Sequence, residues 1–259
     1  MPGFLFHDVI FGPVRSRRLG LSLGVNLLPL HVKHCSFNCI YCECGWTPRT
    51  PSGLPEFPSR EEVREFLGQR LEQLTGEDYL PDAITYAGNG EPTLHPDFPG
   101  IVDDTIALRN LHSPGSRVSV LSNASMIHDP AVFAALLKLD NNIQKLDAGS
   151  GAMLDLINNP PEPVDYDALV NNLERFGGRV TIQSMFLRGS FKGNRFDNTE
   201  PGEVASWLER IRFIRPKLVM LYPIARATPV HDLEKITIPE LEIIAQQVRA
   251  AGIPAQVYP

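Results

Sequence analysis

The stretch Leu23-Gly-Val-Asn-Leu27-Leu-Pro-Leu-His31-Val-Lys-His34-Cys35-Ser-Phe-Asn-Cys39-Ile-Tyr41-Cys42-Glu-Cys44 runs a short apolar strand pattern straight into a group of thiols. Leu23 to Leu27 reads as a strand, and the residues after it keep neither helical nor strand periodicity. Cys35, Cys39 and Cys42 have the spacing C-x3-C-x2-C, so one short loop can wrap one metal centre. Thiolates are soft ligands for iron–sulfur clusters or zinc. A structural zinc site closes with four ligands, often as two separated C-x-x-C pairs, and a second pair is missing here. His31 and His34 keep a zinc reading open. All four cysteines of this 259-residue chain fall between positions 35 and 44, a distribution that suits a metal site and not a disulfide framework.

Outward from this loop, short β-rich runs alternate with amphipathic helical patterns. Strands are predicted at Leu23–Leu27, Ala83–Tyr86, Val118–Ser122, Asn142–Asp147, Val180–Phe186, Leu218–Tyr222 and Ala255–Tyr258. Most are apolar nearly throughout, as strands covered by helices are. Ser59 and Glu62 have capping-box spacing, and Val63, Phe66, Leu67, Leu71 and Leu74 form one stripe behind them. Asp129-Pro130 opens a second helix, Ala168 to Phe176 builds a third that stops at Gly177-Gly178, and Val204, Trp207, Leu208 and Ile211 mark a fourth before Pro216. A last helix runs from Pro239 to Gly252. The alternation predicts an α/β fold with a parallel sheet and right-handed crossovers. The stretch from Trp46 to Pro58 has no strand signal, so a partial (β/α)6 TIM-like barrel with outer helices fits better than eight units. One domain is expected across 1–259, with a lead-in over 1–22, the core over 23–222 and a C-terminal extension over 223–259.

Composition narrows the function classes. Hydrophobic residues at 43% and charged residues at 21% are ordinary for a globular chain. Lys plus Arg number 24 against 30 acids, a net −6, so no broad nucleic-acid face is expected. Apolar runs such as Val132–Leu137 fall far short of the ~20 residues of a membrane span. Met1 to Phe11 carries no export signal, and a cytoplasmic protein without membrane contact is expected.

In parallel α/β sheets, ligands gather beyond the C-terminal strand ends, which selects the loops to read. Gly88-Asn89-Gly90-Glu91-Pro92 follows the second strand; its glycines permit close backbone approach, and Glu91 is able to receive a charged amine. Ser122 and Asn123 end the third. Lys145 and Asp147 lie two apart on the fourth and point the same way, a costly buried pair unless they bind something. Gln183 on the fifth is a further hydrogen-bonding group. The segment Leu187–Asn198 reads as a lid or a surface loop, and Arg226 after the sixth strand is a clamp for a carboxylate or phosphate.

C-x3-C-x2-C, with Tyr41 just before its last cysteine and in this position after the first strand, resembles the signature of the radical S-adenosylmethionine superfamily. Gly12-Pro-Val-Arg15-Ser-Arg17-Arg18-Leu-Gly20, Gly-Asn-Gly-Glu-Pro-Thr-Leu-His-Pro (88–96) and Lys-Leu-Asp-Ala (145–148) resemble a narrower group. These are stand-alone iron–sulfur oxidoreductases related to the tRNA wyosine-base synthases. The resemblance implies a 4Fe-4S cluster on Cys35, Cys39 and Cys42 with one iron open to the amino and carboxylate groups of S-adenosylmethionine. Reductive cleavage would then yield a 5′-deoxyadenosyl radical that takes a hydrogen from the substrate. It further implies cofactor contacts at Tyr41, Gly88, Asn89, Gly90, Glu91, Ser122, Asn123, Asp147 and Gln183, and substrate-side roles for Lys145 and Arg226. A flavodoxin- or ferredoxin-like reductant is implied as electron donor. A nucleotide or tRNA base is the implied substrate, with a small carboxylate or peptide as the other expectation. Two departures set this chain apart from wyosine chemistry: it lacks cysteines for a second cluster, and it is acidic. Cys44 lies outside the three-cysteine pattern. An electron carrier or zinc module without radical chemistry is the alternative class, and an activating partner of another protein is a third.

Overall fold

Runs of β-branched and apolar residues broken by capped helices produce a single curled sheet, seen here in a computed structural model that describes residues 3–48 and 56–259. Its strands are β1 (Ile10–Ser16), β2 (Gly20–Val25), β3 (Ala83–Tyr86), β4 (Arg117–Ser122), β5 (Asn141–Lys145), β6 (Thr181–Phe191), β7 (Asn194–Asp197), β8 (Leu218–Pro223), β9 (Leu233–Lys235) and β10 (Ala255–Val257). The helices are α1 (Arg60–Gly76), α2 (Phe98–His112), α3 (Pro130–Leu136), α4 (Gly151–Ile157), α5 (Tyr166–Glu174), α6 (Pro201–Ile214) and α7 (Ile238–Ala250). Strand order is β1-β2-β3-β4-β5-β6-β8-β10. From β2 to β10 every neighbour is parallel; β1 alone on this path runs antiparallel, to β2. Each of β2, β3, β4, β5, β6 and β8 is followed by a helix before the next parallel strand, which makes the expected partial (β/α)6 barrel. Much of the stretch from Trp46 to Pro58 lies outside the described residues.

Local chemistry starts and stops these elements where the sequence says. Ser59 and Glu62 form both halves of a capping box on α1. Asp129 accepts from the Ala131 and Val132 amides with Pro130 as the first helical residue of α3. Arg215 ends α6 in the left-handed conformation just before Pro216.

The sheet has two unlike faces. Leu23, Val25, Ile84, Tyr86, Val118, Val120, Ile182, Phe186 and Leu221 point outward and are fully or almost fully buried under the helices. Tyr86 meets Phe98 of α2, and Phe186 meets Trp207 of α6, both edge to face. Burial of each such side chain contributes roughly 1.5–3 kcal/mol. The other face carries Ser22, Thr85, Ser119, Lys145 and Gln183, and it curls into the barrel interior. The curl brings residues far apart in sequence together: Arg18 donates to Gln183 at 2.7 Å and stacks over the Tyr222 ring at 5.0 Å. Phe11 lies flat against Gly24, where an added Cβ would sit 2.1 Å from the ring.

Three strands were not foreseen. β1 continues Gly12-Pro-Val-Arg15 into an edge hairpin. β6 runs on to Phe191 and turns back as β7 through Lys192-Gly193, both with positive φ as a two-residue hairpin requires. β9 then pairs with the same part of β6. Leu187–Asn198 is therefore a paired β-arm and not an unpatterned loop. Its turn uses Lys-Gly in place of the usual Asn-Gly, which hid the signal.

Candidate metal centre

The cysteine loop is held from two sides. On one, the His34 amide donates to Asn89 O at 2.9 Å and the Glu91 amide returns to His34 O at 3.1 Å. Gly90 must be glycine for this approach, since a Cβ would lie 1.9 Å from the His34 carbonyl oxygen. On the other, the Asn38 and Ile40 amides each donate at 3.0 Å to Asn158 O and Ile157 O at the end of α4. Phe37 and Ile40 are buried and anchor the loop between the thiols.

Each sulfur then meets a different donor. Cys35 Sγ receives the Phe37 amide at 3.4 Å and Asn123 Nδ2 at 3.6 Å. Cys39 Sγ receives Asn158 Nδ2 at 3.3 Å. Burial pushes the Cys35 thiol up to about 12, against the pull of Lys33. Cys39 is raised by the same burial. Cys42 is held below the usual thiol range, first by a hydrogen bond from Cys44, and Lys33 reinforces this against burial. Cys44 Sγ also lies 3.4 Å from Gly88 O, a competing acceptor for its one proton.

This donor set fits an iron–sulfur cluster. N–H···S bonds to ligating sulfurs are a regular support of such clusters, and thiolate is their usual ligand. Among the described residues, no three His, Cys, Asp or Glu side chains converge on one point as a single ion demands. A cluster makes no such demand, because each thiolate binds its own iron. The rings of His31 and His34 are turned to other partners, His7 at 6.2 Å and Phe57 at 5.1 Å.

The strand-end residues surround this loop in two groups. Glu91 is buried; its carboxylate accepts from Thr93 N at 3.1 Å, Thr93 Oγ1 at 2.5 Å and Asn123 N at 2.5 Å. Burial raises its affinity for a proton, and these bonds oppose the rise. Ser122 stands beside it and caps the Ala124 amide at 3.1 Å. Asn89 is committed elsewhere, pairing with the Phe6 amide at 2.8 Å and the carbonyls of Phe6 and Pro29 at 2.9 Å. Gly88 and Gly90 both take the positive φ that lets the loop fold back.

The second group fills the barrel interior below the cysteines. Lys145 Nζ donates to Tyr41 OH at 2.9 Å and Tyr222 OH at 3.3 Å, and lies 3.6 Å from Asp147. Burial pulls the Lys145 ammonium toward neutrality, but Asp147 holds it strongly charged. The Asp147 carboxylate also accepts from Tyr41 OH, from Asn158 at 2.8 Å and from the Met185 amide at 2.8 Å. Lys145 and Asp147 thus balance one another, as their two-residue spacing suggested, and a ligand would have to displace a partner to reach either. Gln183 completes the row by accepting from Arg18.

Arg226 sits at the mouth, exposed and paired with Glu43 of the cysteine loop. It lines a cavity of about 520 Å³ together with Arg15, Phe4, Phe6, Cys42 and Thr228. Sequence reasoning missed Asn158 and Lys33, and it did not foresee that Arg18 would turn onto Gln183. Asn158 gives no sequence signal, because only the return of α4 brings it to Cys39. Lys33 sits two residues before the first thiol and was readable as a neighbouring charge.

The sequence profile of the radical SAM superfamily matches residues 30–193, the span from just before the cysteine loop to the tip of the arm. The chain belongs to the radical SAM superfamily. This radical SAM protein is 32% identical over 233 residues to a protein named GTPase Obg from Brachyspira hyodysenteriae, covering 90% of the chain and 32% of that protein. It is 31% identical over 188 residues to a UPF0026 protein of Methanocaldococcus jannaschii, covering 71% of the chain and 55% of the relative. The chain therefore spans about a third to a little over half of these relatives' lengths. A radical SAM methyltransferase from Sphaerobacter thermophilus superposes with a TM-score of 0.63 at 16% identity, covering 91% of the chain and 65% of that protein, a likeness of fold. No helix among the described residues is long and apolar enough to cross a membrane.

Proposed function

We propose that this radical SAM protein is an enzyme that holds a 4Fe-4S cluster on Cys35, Cys39 and Cys42 and acts on an anionic substrate, a nucleotide or small carboxylate. When bound, the cluster and S-adenosylmethionine together supply one-electron cleavage of the sulfonium and abstraction of a substrate hydrogen. One observation carries the reading: the Gly88–Glu91 turn is hydrogen-bonded directly to the cysteine loop through His34. A carboxylate is thereby fixed beside the thiols, where an electron carrier has no use for one.

The chain's own residues then divide the work. Asn123 and Asn158 donate to sulfur and hold the ligands in place. Glu91 offers a buried carboxylate to the ammonium of an amino acid, and Asp147 would take a hydroxyl by releasing one of its present donors. The interior row of Tyr41, Lys145, Tyr222 and Gln183 excludes bulk water from the region beneath. The cavity beside Cys42 joins two guanidinium groups, Arg15 and Arg226, to the rings of Phe4 and Phe6. Cations fix a phosphate or carboxylate, and aromatic faces hold a planar group next to it. A small one-electron donor protein of the flavodoxin or ferredoxin type would supply the reductant.

The test is anaerobic. The protein is reconstituted with iron and sulfide, reduced, mixed with S-adenosylmethionine and assayed for 5′-deoxyadenosine, with Cys39→Ala alongside. Formation of 5′-deoxyadenosine that disappears in the alanine variant is the expected result. A loaded cluster that never cleaves S-adenosylmethionine would leave an electron carrier and would remove the role given to Glu91.

A further inference from the structure

Lys33 is the least expected residue in the molecule. It is only 3% exposed, yet among the described residues no carboxylate lies within ion-pair distance of it. Among the described residues its ammonium donates to the carbonyl oxygen of Gly45, at 2.8 Å, across the cysteine loop. The other buried lysine, Lys145, has Asp147 to balance it. A buried ammonium without an anion costs several kcal/mol of lost hydration and is retained in proteins only where some negative group repays it.

The Lys33 ammonium reaches across the loop to Gly45, whose own amide donates to Cys42 O at 3.0 Å, so the buried cation and its acceptor bracket all four thiols. The chain has thus walled a lysine ammonium into the loop that carries all its thiols. A 4Fe-4S core on three thiolates is negative overall and gains one further negative charge on reduction. A fixed cation at this place attracts the reduced state more than the oxidised one, and burial strengthens the difference.

We propose that Lys33 is a built-in counter-charge for the cluster site, which eases entry of the electron by favouring the reduced cluster. It is a positioning and tuning residue, and it need touch neither substrate nor S-adenosylmethionine. The inference rests on the reading that Cys35, Cys39 and Cys42 carry a cluster.

The experiment is an anaerobic redox titration of the reconstituted full chain, with dithionite as one-electron reductant and the reduced cluster followed by electron paramagnetic resonance. Wild type, Lys33→Met and Lys33→Arg are compared, each after iron and acid-labile sulfide analysis. In Lys33→Met the ratio of reduced to oxidised cluster at a fixed potential is expected to fall about ten-fold. That is a shift of ~59 mV to lower potential for a one-electron couple. Lys33→Arg, which keeps the charge, is expected to stay near wild type. A fully loaded Lys33→Met protein with an unshifted midpoint would overturn the proposal. If the methionine variant takes up no cluster, the arginine variant decides: loading restored by arginine supports the charge, and an equally empty arginine variant refutes it. A wild-type chain that itself assembles no cluster would instead refute the underlying cluster assignment, which the iron and sulfide analysis reports separately.

Discussion

The two faces of the central sheet are built from neighbouring residues and do opposite jobs. Ile84 and Thr85 are adjacent on β3; Ile84 points out among α1 and α2 side chains, and Thr85 points in, its hydroxyl 2.8 Å from that of Ser22. A closed TIM barrel fills its interior with bulky branched side chains. Here hydroxyls, amides and one lysine–aspartate pair share the interior with Leu121, Ile143, Met185 and Met220, while the outer face of β2 and β3 is apolar throughout. The lesson is one of location: apolar volume outside holds the sheet to its helices, and the buried polar groups of the inside are satisfied by one another.

The largest expected effect attacks the inner face. Lys145→Met leaves Asp147 buried beside Tyr41 without its cation, and a loss of about 3–5 kcal/mol is expected in urea unfolding. Lys145→Met combined with Asp147→Asn should recover most of it; additive losses would mean that the two charges do not act as a pair. Next comes the adjacent pair on β3. Ile84→Ala should cost about 2–5 kcal/mol through the cavity it leaves, against about 1 kcal/mol for Thr85→Ala. Equal costs would erase the distinction between the faces.

The smallest effect lies in the arm of β6, β7 and β9, which belongs to neither face. Arg188 there binds Glu240 of α7 at 2.7 Å. Bonds from Thr237 and then Arg188 hold the Glu240 carboxyl down at about 2 from its ordinary 4.5. A depressed folded-state value means that the stabilisation is whole above pH 4.5 and fades as pH falls toward 2. Protection factors, taken against the intrinsic exchange rate at each pH, should therefore fall for residues 187–197 across that window before those of β3 and β4 do. Simultaneous loss of protection would show that the arm opens only with the barrel.

Much of this was legible in the chain. The parallel strands were readable because a helix-covered strand is apolar on the face that packs, and Ser59, Asp129 and Pro216 mark helix limits by local bonding alone. The cysteine spacing and the Gly88–Glu91 turn were readable because each is contiguous. What escaped depends on partners distant in sequence. Arg15, Arg17 and Arg18 look alike on paper; the curl of the sheet turns Arg18 onto Gln183 and Tyr222, joins Arg17 to the Pro259 carbonyl and leaves Arg15 at the cavity. Asn89 reads as a ligand-facing group and in the fold clasps the Phe6 backbone.

The clamp of the cysteine loop by Ile157 and Asn158 has a consequence in time. On a ribosome the thiols emerge more than a hundred residues before the helix end that grips them. At 5–20 residues per second that gap lasts roughly 6–25 s. During it the loop has no fixed shape, and its thiols are open to oxidation and to stray metals. The proposed cluster would therefore find a shaped site only after the fourth helix has closed, so that assembly would be ordered by synthesis itself.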